Sequence, residues 1–333
     1  MKMKSMNISA IQIYRKYGIF LIFITLFIAS ALINKNFLKP QNLMNILKQI
    51  SVVTIIACGE TLLIVSGLID LSAGLTCTLA GCLSAGVLVS TGNVFLAVTV
   101  GILVGMVVGW TNGFLITRYK IEAFIATLAM MNIVKGITQV YTGGTAINGV
   151  EKIRWLGQGY IGIIPVPVVL MLLCVVIVFV LMRYTKIGLY TYAIGGNENS
   201  VIASGVNVKR TKRLIFSISG AMVGIAGVLL MSRMMSGQPS VGEGYEFDAI
   251  TAVIVGGTSF SGGVGTVTGT LIGSIIVGMI NNILNLLNVS TQYQLIVKGV
   301  LIAGAVILDV KTKSGRVMVA PTHNTKKSSI NES

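Results

Sequence analysis

YAIGGNENSVIASGVNVKRTKR, residues 192–213, is a polar and basic island in a chain that is otherwise almost continuously apolar. The run before it closes on Arg183, Tyr184, Thr185 and Lys186, and Leu214 begins another after it. Backbone N–H and C=O groups find no partner in lipid, so a long polar segment between two apolar runs has to lie in water. The positive charge at its end, from Lys209 to Arg213, assigns it to the cytoplasmic side. Its middle can form a short helix. Tethered at both ends to spanning segments, such a helix can pass a push from a partner into the membrane.

The rest of the chain has the composition that this reading needs. Of 333 residues 54% are hydrophobic and 11% charged, with a mean hydropathy of +0.86, more apolar surface than a soluble domain can hide. The apolar runs approach the roughly 20 residues of a spanning helix, whereas barrels read as alternating ten-residue strands. The formal charge of +15 could suggest nucleic acid. However, 17 of the 25 Lys and Arg fall in five clusters, at 2–16, 118–120, 183–186, 209–213 and 311–327, which one topology puts on a single side. The four cysteines, Cys58, Cys77, Cys82 and Cys174, lie in apolar runs without CxxC spacing, and the single histidine is His323. Neither a disulfide framework nor a metal site is indicated. The N-terminal run 19–32 carries Ala29, Ser30 and Ala31 like a cleavage site, but it reads as an uncleaved first span that the topology uses.

The chain thus reads as one domain, 1–333: an all-α polytopic membrane protein with about ten spans and both ends cytoplasmic. The spans are expected near 18–33, 44–66, 71–89, 94–117, 123–141, 165–182, 214–234, 247–255, 266–287 and 293–308, within a membrane region of 17–309. The loop 142–161, with Glu151, Lys152 and Arg154, is expected outside, as is the stretch SGQPSVGEGYE at 236–246; the tail 310–333 is expected to lack structure. The eighth span is too short to cross about 30 Å at 1.5 Å per residue, so a short or partly re-entrant helix is expected there.

IVKG occurs at 133–136 and again at 296–299, each time downstream of a glycine-rich helix ending in asparagine. Gly105 and Gly109 precede Asn112; Gly273 and Gly278 precede Asn281. The two halves would run in opposite senses, as the inverted repeats of transporters do. Most of these glycines are expected to serve helix-to-helix packing, which in lipid depends on close backbone approach.

Catalysis finds little support. No phosphate-cradling G-x-x-x-x-G-K-[ST] exists, and GGTSFSGGVG at 256–265 lacks the lysine. A Ser-His-Asp arrangement would need His323, and no pair of acids suited to intramembrane proteolysis stands out. Ionisable groups within apolar spans are functional candidates by default. Glu60 reads as a group on a transport path, a proton carrier, or an acid bonded to a neighbouring helix. Asp70 reads as the cap of a helix starting near Ser72. Glu243, Glu246 and Asp248 could dock a partner on the outer face, with helix capping an alternative for Asp248. Lys135 and Lys298 are expected to snorkel or to pair with an acid.

Several long stretches resemble one family. GLIDLSAG at 67–74, FIATLAMM at 124–131, GGNENSVIASGVNV at 195–208, GYEFDAITAVIVGGTSFSGG at 244–263 and GTLIGSIIVGMINNILNLLNVSTQYQLIVKG at 269–299 are similar to the ribose-type permease subunits of bacterial ABC importers. The resemblance, over about 42–309, implies a type II importer-like fold with inverted repeats. It implies a chain that is not an enzyme and binds no cofactor, ATP and Mg residing in a cytoplasmic ATPase partner. It also implies a second permease copy, an extracytoplasmic sugar-binding protein and a place in the bacterial cytoplasmic membrane. Gly195, Gly196, Asn197, Glu198, Ser204, Gly205, Val206 and Asn207 match the family's ATPase-coupling helix. Residues 242–263 match the segment lining the path and its gates, so Phe247, Asp248, Thr258, Ser259 and Phe260 join Glu60 and Asp70 as path candidates. Glu243 and Glu246 are candidates for docking the binding protein. Phe247, Phe260 and Val264 depart from the family's pattern, which bears on specificity. A ribose-like pentose, a hexose or a furanose such as autoinducer-2 are the expected solutes. A branched-chain amino-acid or nucleoside permease, or a proton-coupled carrier using Glu60, are the competing readings.

Overall fold

Runs of apolar residues this long satisfy their backbone only as helices, and helices carry almost the whole chain. The computed structural model describes residues 3–317, the side chains of 3–17, 305 and 308–317 excepted. In order come α1 (Met3–Ile33), α2 (Pro40–Val65), α3 (Ala73–Thr91), α4 (Val94–Tyr119) and α5 (Ala123–Thr142). A 3₁₀ turn (Glu151–Ile153), α6 (Arg154–Gln158) and a small hairpin of β1 (Tyr160–Ile161) and β2 (Ile164–Pro165) follow. Then come α7 (Val166–Tyr184), α8 (Lys186–Ala203), α9 (Val208–Met234), α10 (Tyr245–Val255), α11 (Val267–Leu286) and α12 (Thr291–Val317).

Local chemistry sets several boundaries. Pro40 opens α2 at a position whose N–H has no use in the helix. The Asn93 side chain accepts the Leu96 N–H at 3.1 Å and starts α4. Seven helices, α2, α3, α4, α5, α7, α9 and α11, are long and apolar enough to cross a membrane. The apolar part of α1, Gly18–Ile33, is shorter, and α10 has only 11 residues. Ten spans are therefore not confirmed among the described residues, although the class, a polytopic helical membrane protein, is the same.

Helix α2 is the axis of the bundle, with every residue from Ile50 to Val65 buried. Around it the halves exchange partners. Helix α4 packs along α9, where a Cβ on Gly105 would strike Gly220 and Gly224, and one on Gly109 would strike Phe216. Helix α11 packs on α2 and α10, with Gly278 against Ile50 and Gly273 against Ala252. Helix α4 of the first half thus lies on α9 of the second, and α11 of the second lies on α2 of the first, the arrangement an inverted repeat produces.

Three basic clusters gather at one end. Arg213 Nε donates to Thr117 Oγ1 at 2.7 Å, beside Arg118, and α8, which begins at Lys186, leads back to α9 there. At the other end Lys152 Nζ donates to the Gly92 carbonyl at 3.3 Å, so the loop with Glu151, Lys152 and Arg154 lies away from the basic end.

Two expectations need correction. The stretch after α9 is not simply an outer loop: it turns back along α3, with Gly237 against Cys82 and Ala85, and with the Gly242 N–H donating to Thr78 Oγ1 at 3.0 Å. Helix α10 therefore starts beside Gly74, within the bundle. The tail does not lose structure at 310, because α12 continues to Val317; the remainder, His323 included, lies outside the described residues.

Candidate functional site: a capped helix joined to a buried polar core

The island folds as a helix broken once. Asn197 in α8 adopts an extended backbone (φ −163°, ψ 98°), and its side-chain oxygen accepts the Ser200 N–H at 3.1 Å. An asparagine in this position starts a new helix, here the short segment 198–203. The Gly205 N–H bonds to the Ile202 carbonyl at 3.0 Å, and the Val206 N–H to that of Val201 at 3.4 Å. With Gly205 at φ +80° this is the Schellman closure, which favours glycine because of its left-handed backbone. Ile194, Val201, Val206 and Val208 pack beneath the segment. Glu198 accepts from Lys212 of α9 at 2.8 Å, and Asn207 caps α9 by accepting the Arg210 N–H at 3.0 Å. Gly196, Asn197, Glu198, Ser204, Gly205 and Asn207 are exposed, so a rigid, solvent-facing element stands at the basic end.

Behind it the backbone is in direct contact with the bundle. A Cβ on Gly195 would collide with the Val65 carbonyl at the end of α2 and with the Gly263 nitrogen. The Gly263 N–H donates to that same carbonyl at 2.8 Å. Tyr192 Oη donates to the Gly265 carbonyl at 2.8 Å. Burial pushes the Tyr192 phenol up from its ordinary pKa, and the Arg183 charge nearby acts in the opposite direction. Three pieces of chain, the kinked α8, the end of α2 and the loop 256–265 after α10, therefore meet with no side chain between them at Gly195.

Helix α10 leads to a buried polar core. Glu60 is 0% exposed, Asp70 3%, Glu246 0% and Asp248 3%. Asp70 Oδ1 accepts the Ser72 N–H at 2.8 Å and also the Ser72 hydroxyl, so it closes the turn before α3 rather than capping the helix, whose cap position is Ser72 and carries no side-chain cap bond. Asn112 of α4 donates to both Asp70 oxygens, at 3.3 and 3.4 Å, and to Ser72 Oγ at 3.0 Å. The Asp70 N–H reaches Glu60 Oε2 at 3.5 Å. Glu60 and Asp70, ten residues apart in the chain, are thus adjacent in space. Asp70 is already engaged by Ser72 and Asn112, which is the geometry of a structural tie.

Asp248 does not cap α10. It pairs with Lys298 of α12 at 2.9 Å and accepts from Asn281 of α11 at 3.3 Å. Glu246 is not on an outer face: its carboxylate lies against Gly74 and accepts the Gly244 N–H at 3.1 Å, so the expected docking role does not fit its position. Glu243 is exposed and pairs with Lys135 at 3.0 Å. Thr258 and Ser259 are buried in the loop after α10, whereas Phe247 and Phe260 are each 41% exposed and Val264 is 47% exposed.

The two asparagines that mark the repeats each donate to an aspartate, Asn112 to Asp70 in the turn before α3 and Asn281 to Asp248 within the first turn of α10. Their places at the ends of matching glycine-rich helices were legible in the sequence, whereas their aspartate partners were not. The roles of Gly74 and Lys212 carried no comparable signal. Asn112→Leu is expected to destabilise the protein by about 1–3 kcal/mol, the cost of leaving a buried acceptor short of its donors. A thermal midpoint in detergent equal to that of the unmodified chain would show that the Asp70 contacts hold nothing in place.

A polytopic helical bundle, with an exposed capped helix held by backbone contact to the end of α2 and to the loop after the short α10, has the architecture of a membrane permease. Residues 42–306 match the family described as branched-chain amino acid transport system / permease component. The chain is 47% identical over 302 residues to the ribose import permease of Bacillus subtilis (strain 168), covering 90% of this chain and 94% of that one. It is 38% identical over 300 residues to the L-arabinose transport system permease of Escherichia coli (strain K12), with 90% and 91% covered. Against the D-allose transport system permease of the same strain it is 39% identical over 298 residues, with 88% and 91% covered. No solved structure matches the chain. The chain belongs to this permease family, among the ribose-type permeases of ABC importers.

Proposed function

We propose that this chain is the membrane-spanning subunit of an ATP-driven, binding-protein-dependent importer that carries a small sugar into the cell. A ribose-like pentose, a hexose or a related furanose such as autoinducer-2 is the solute class. Its relatives are named for ribose, L-arabinose and D-allose, which favours sugar over the amino acids in the family description. The basic end faces the cytoplasm and both termini lie there, because positively charged loops are retained on that side. A cytoplasmic ATPase, carrying ATP and Mg, docks on the exposed residues from Gly196 to Asn207. Two copies of the permease face each other across α10, where Phe247, Phe260 and Val264 present apolar surface, and a binding protein delivers sugar at the opposite end.

The observation that carries the reading is the backbone contact of Gly195 with Val65 and Gly263. Closure of the ATPase would draw the two capped helices together. The loop 256–265 and α10 would follow as rigid parts, opening one side of the path and closing the other. The permease itself needs no tight sugar site, since affinity resides in the binding protein and the drive in ATP.

Reconstitution in vesicles with the ATPase and binding protein tests this. Sugar uptake is expected to require ATP and to persist with a protonophore. Glu198→Lys is expected to lower coupled uptake about tenfold while leaving folding nearly unchanged, because the exposed pair with Lys212 contributes only about 0–1 kcal/mol. Uptake that survived without the ATPase and collapsed with the protonophore would instead identify a proton-coupled carrier.

A further inference from the structure

A cavity of about 520 Å³ opens between α7, α8 and α11 at the basic end. Its walls divide by chemistry. Phe179, Met182, Leu189 and Val267 form an apolar side, while Arg183, Thr185, Tyr192, Thr266 and Thr268 supply polar groups. Among the described residues no carboxylate lines it. Arg183 makes no hydrogen bond or ion pair with any described residue, although it sits in the last turn of a helix that is apolar up to Met182. The lining also includes the first residues of two helices. Thr185 starts α8, and Thr266 starts α11 by accepting the Gly269 N–H at 3.1 Å. The Val267 and Thr268 N–H groups are left without a described acceptor, and helix dipoles favour negative charge at that place.

We propose that this cavity binds the phosphodiester headgroup of an anionic phospholipid from the cytoplasmic leaflet. The Arg183 guanidinium and the first turn of α11 hold the phosphate, Thr268 adds its hydroxyl, and the acyl chains follow the apolar wall of Phe179, Met182 and Val267. An unpaired guanidinium beside free N–H groups recognises a phosphate oxygen pair. Basic pockets between spanning helices near the cytoplasmic surface suit anionic headgroups. The position of the charge also selects the lipid over a soluble phosphate: Arg183 stands where the chain leaves its apolar run, so a phosphate held there already has lipid beside it. Because Tyr192 lines the same cavity and bonds to the loop after α10, the lipid touches the element that carries the coupling motion.

Native mass spectrometry of the purified full-length permease tests the site with three separate probes: dioleoyl phosphatidylglycerol, dioleoyl phosphatidylcholine and inorganic phosphate. The phosphatidylglycerol is expected to bind at one tight site per chain and the phosphatidylcholine at least about tenfold more weakly. Arg183→Gln is expected to lower the phosphatidylglycerol affinity about tenfold and Thr268→Val about threefold. Lys152→Gln, at the other end of the bundle, should leave it unchanged. Arg183 is exposed and unpaired, so its variant should fold; Thr268→Val reads the same site independently. Equal binding of the two lipids, or phosphatidylglycerol binding unaffected by both variants, overturns the proposal. Binding of inorganic phosphate that Arg183→Gln abolishes, without binding of phosphatidylglycerol, overturns the lipid source in favour of a soluble anion.

Discussion

Gly195→Val is expected to abolish the link between ATP hydrolysis and transport while leaving the ATPase bound. The new Cβ would enter the Val65 carbonyl and come within 2.5 Å of the Gly263 nitrogen. Both neighbours are backbone, so no rotamer change makes room. Overpacking of this kind costs about 1–3 kcal/mol when the surroundings yield. Here yielding means separating α8 from α2 and from the loop after α10, with loss of the Gly263 N–H bond to Val65. The exposed surface from Gly196 to Asn207 lies on the other side of the contact and keeps its caps. Coupled sugar uptake in vesicles is expected to fall more than about tenfold, with ATPase binding preserved. Gly136→Ala, where a Cβ meets nothing within 4 Å, controls for the general cost of removing a glycine. Wild-type uptake by the Gly195 variant would mean that the push travels by another route.

That contact shows where the sequence was legible and where it was not. Span positions are local properties, and they came out close: 94–117 was expected where α4 runs Val94–Tyr119, and 165–182 where α7 runs Val166–Tyr184. The island's side of the bundle followed from charge alone. The break of α8 at Asn197 and the close approach of Gly195 to the end of α2 are features that no short stretch reveals. Depth was the main failure. Glu246 reads as an outer-face acid when SGQPSVGEGYE is taken as a loop, and it becomes buried only because Gly242 and Gly74 let that stretch lie against α3. The acids and asparagines were visible separately. Their pairing, Asp70 with Asn112 and Asp248 with Asn281, joins residues far apart in the chain and is decided by packing of one half on the other.

Asp248→Ala is the variant expected to harm stability most. Asp248 joins α10 to α12 through Lys298 and to α11 through Asn281, and its side chain is 4% exposed. Removing one partner of a buried ion pair costs about 3–5 kcal/mol, because the other charge is left uncompensated. Lys298 is 22% exposed, and its long stem can carry the ammonium toward water, which reduces the penalty. A loss of about 2–3 kcal/mol is therefore expected, read as a fall of several degrees in the thermal midpoint of the detergent-solubilised chain. Asp248→Asn keeps the shape and one hydrogen bond but removes the negative charge, so it should fall between. The double variant Asp248→Leu with Lys298→Met replaces both charges by apolar groups and is expected to recover most of the stability, since it is the unpaired charge that is costly. The double variant also separates two roles of Asp248. If stability returns and uptake returns with it, the pair only holds α10 in place; if stability returns without uptake, Asp248 acts on the transport path itself. A single Asp248→Ala variant as stable as the unmodified chain would show that α10 is held by packing alone, without the Lys298 clamp.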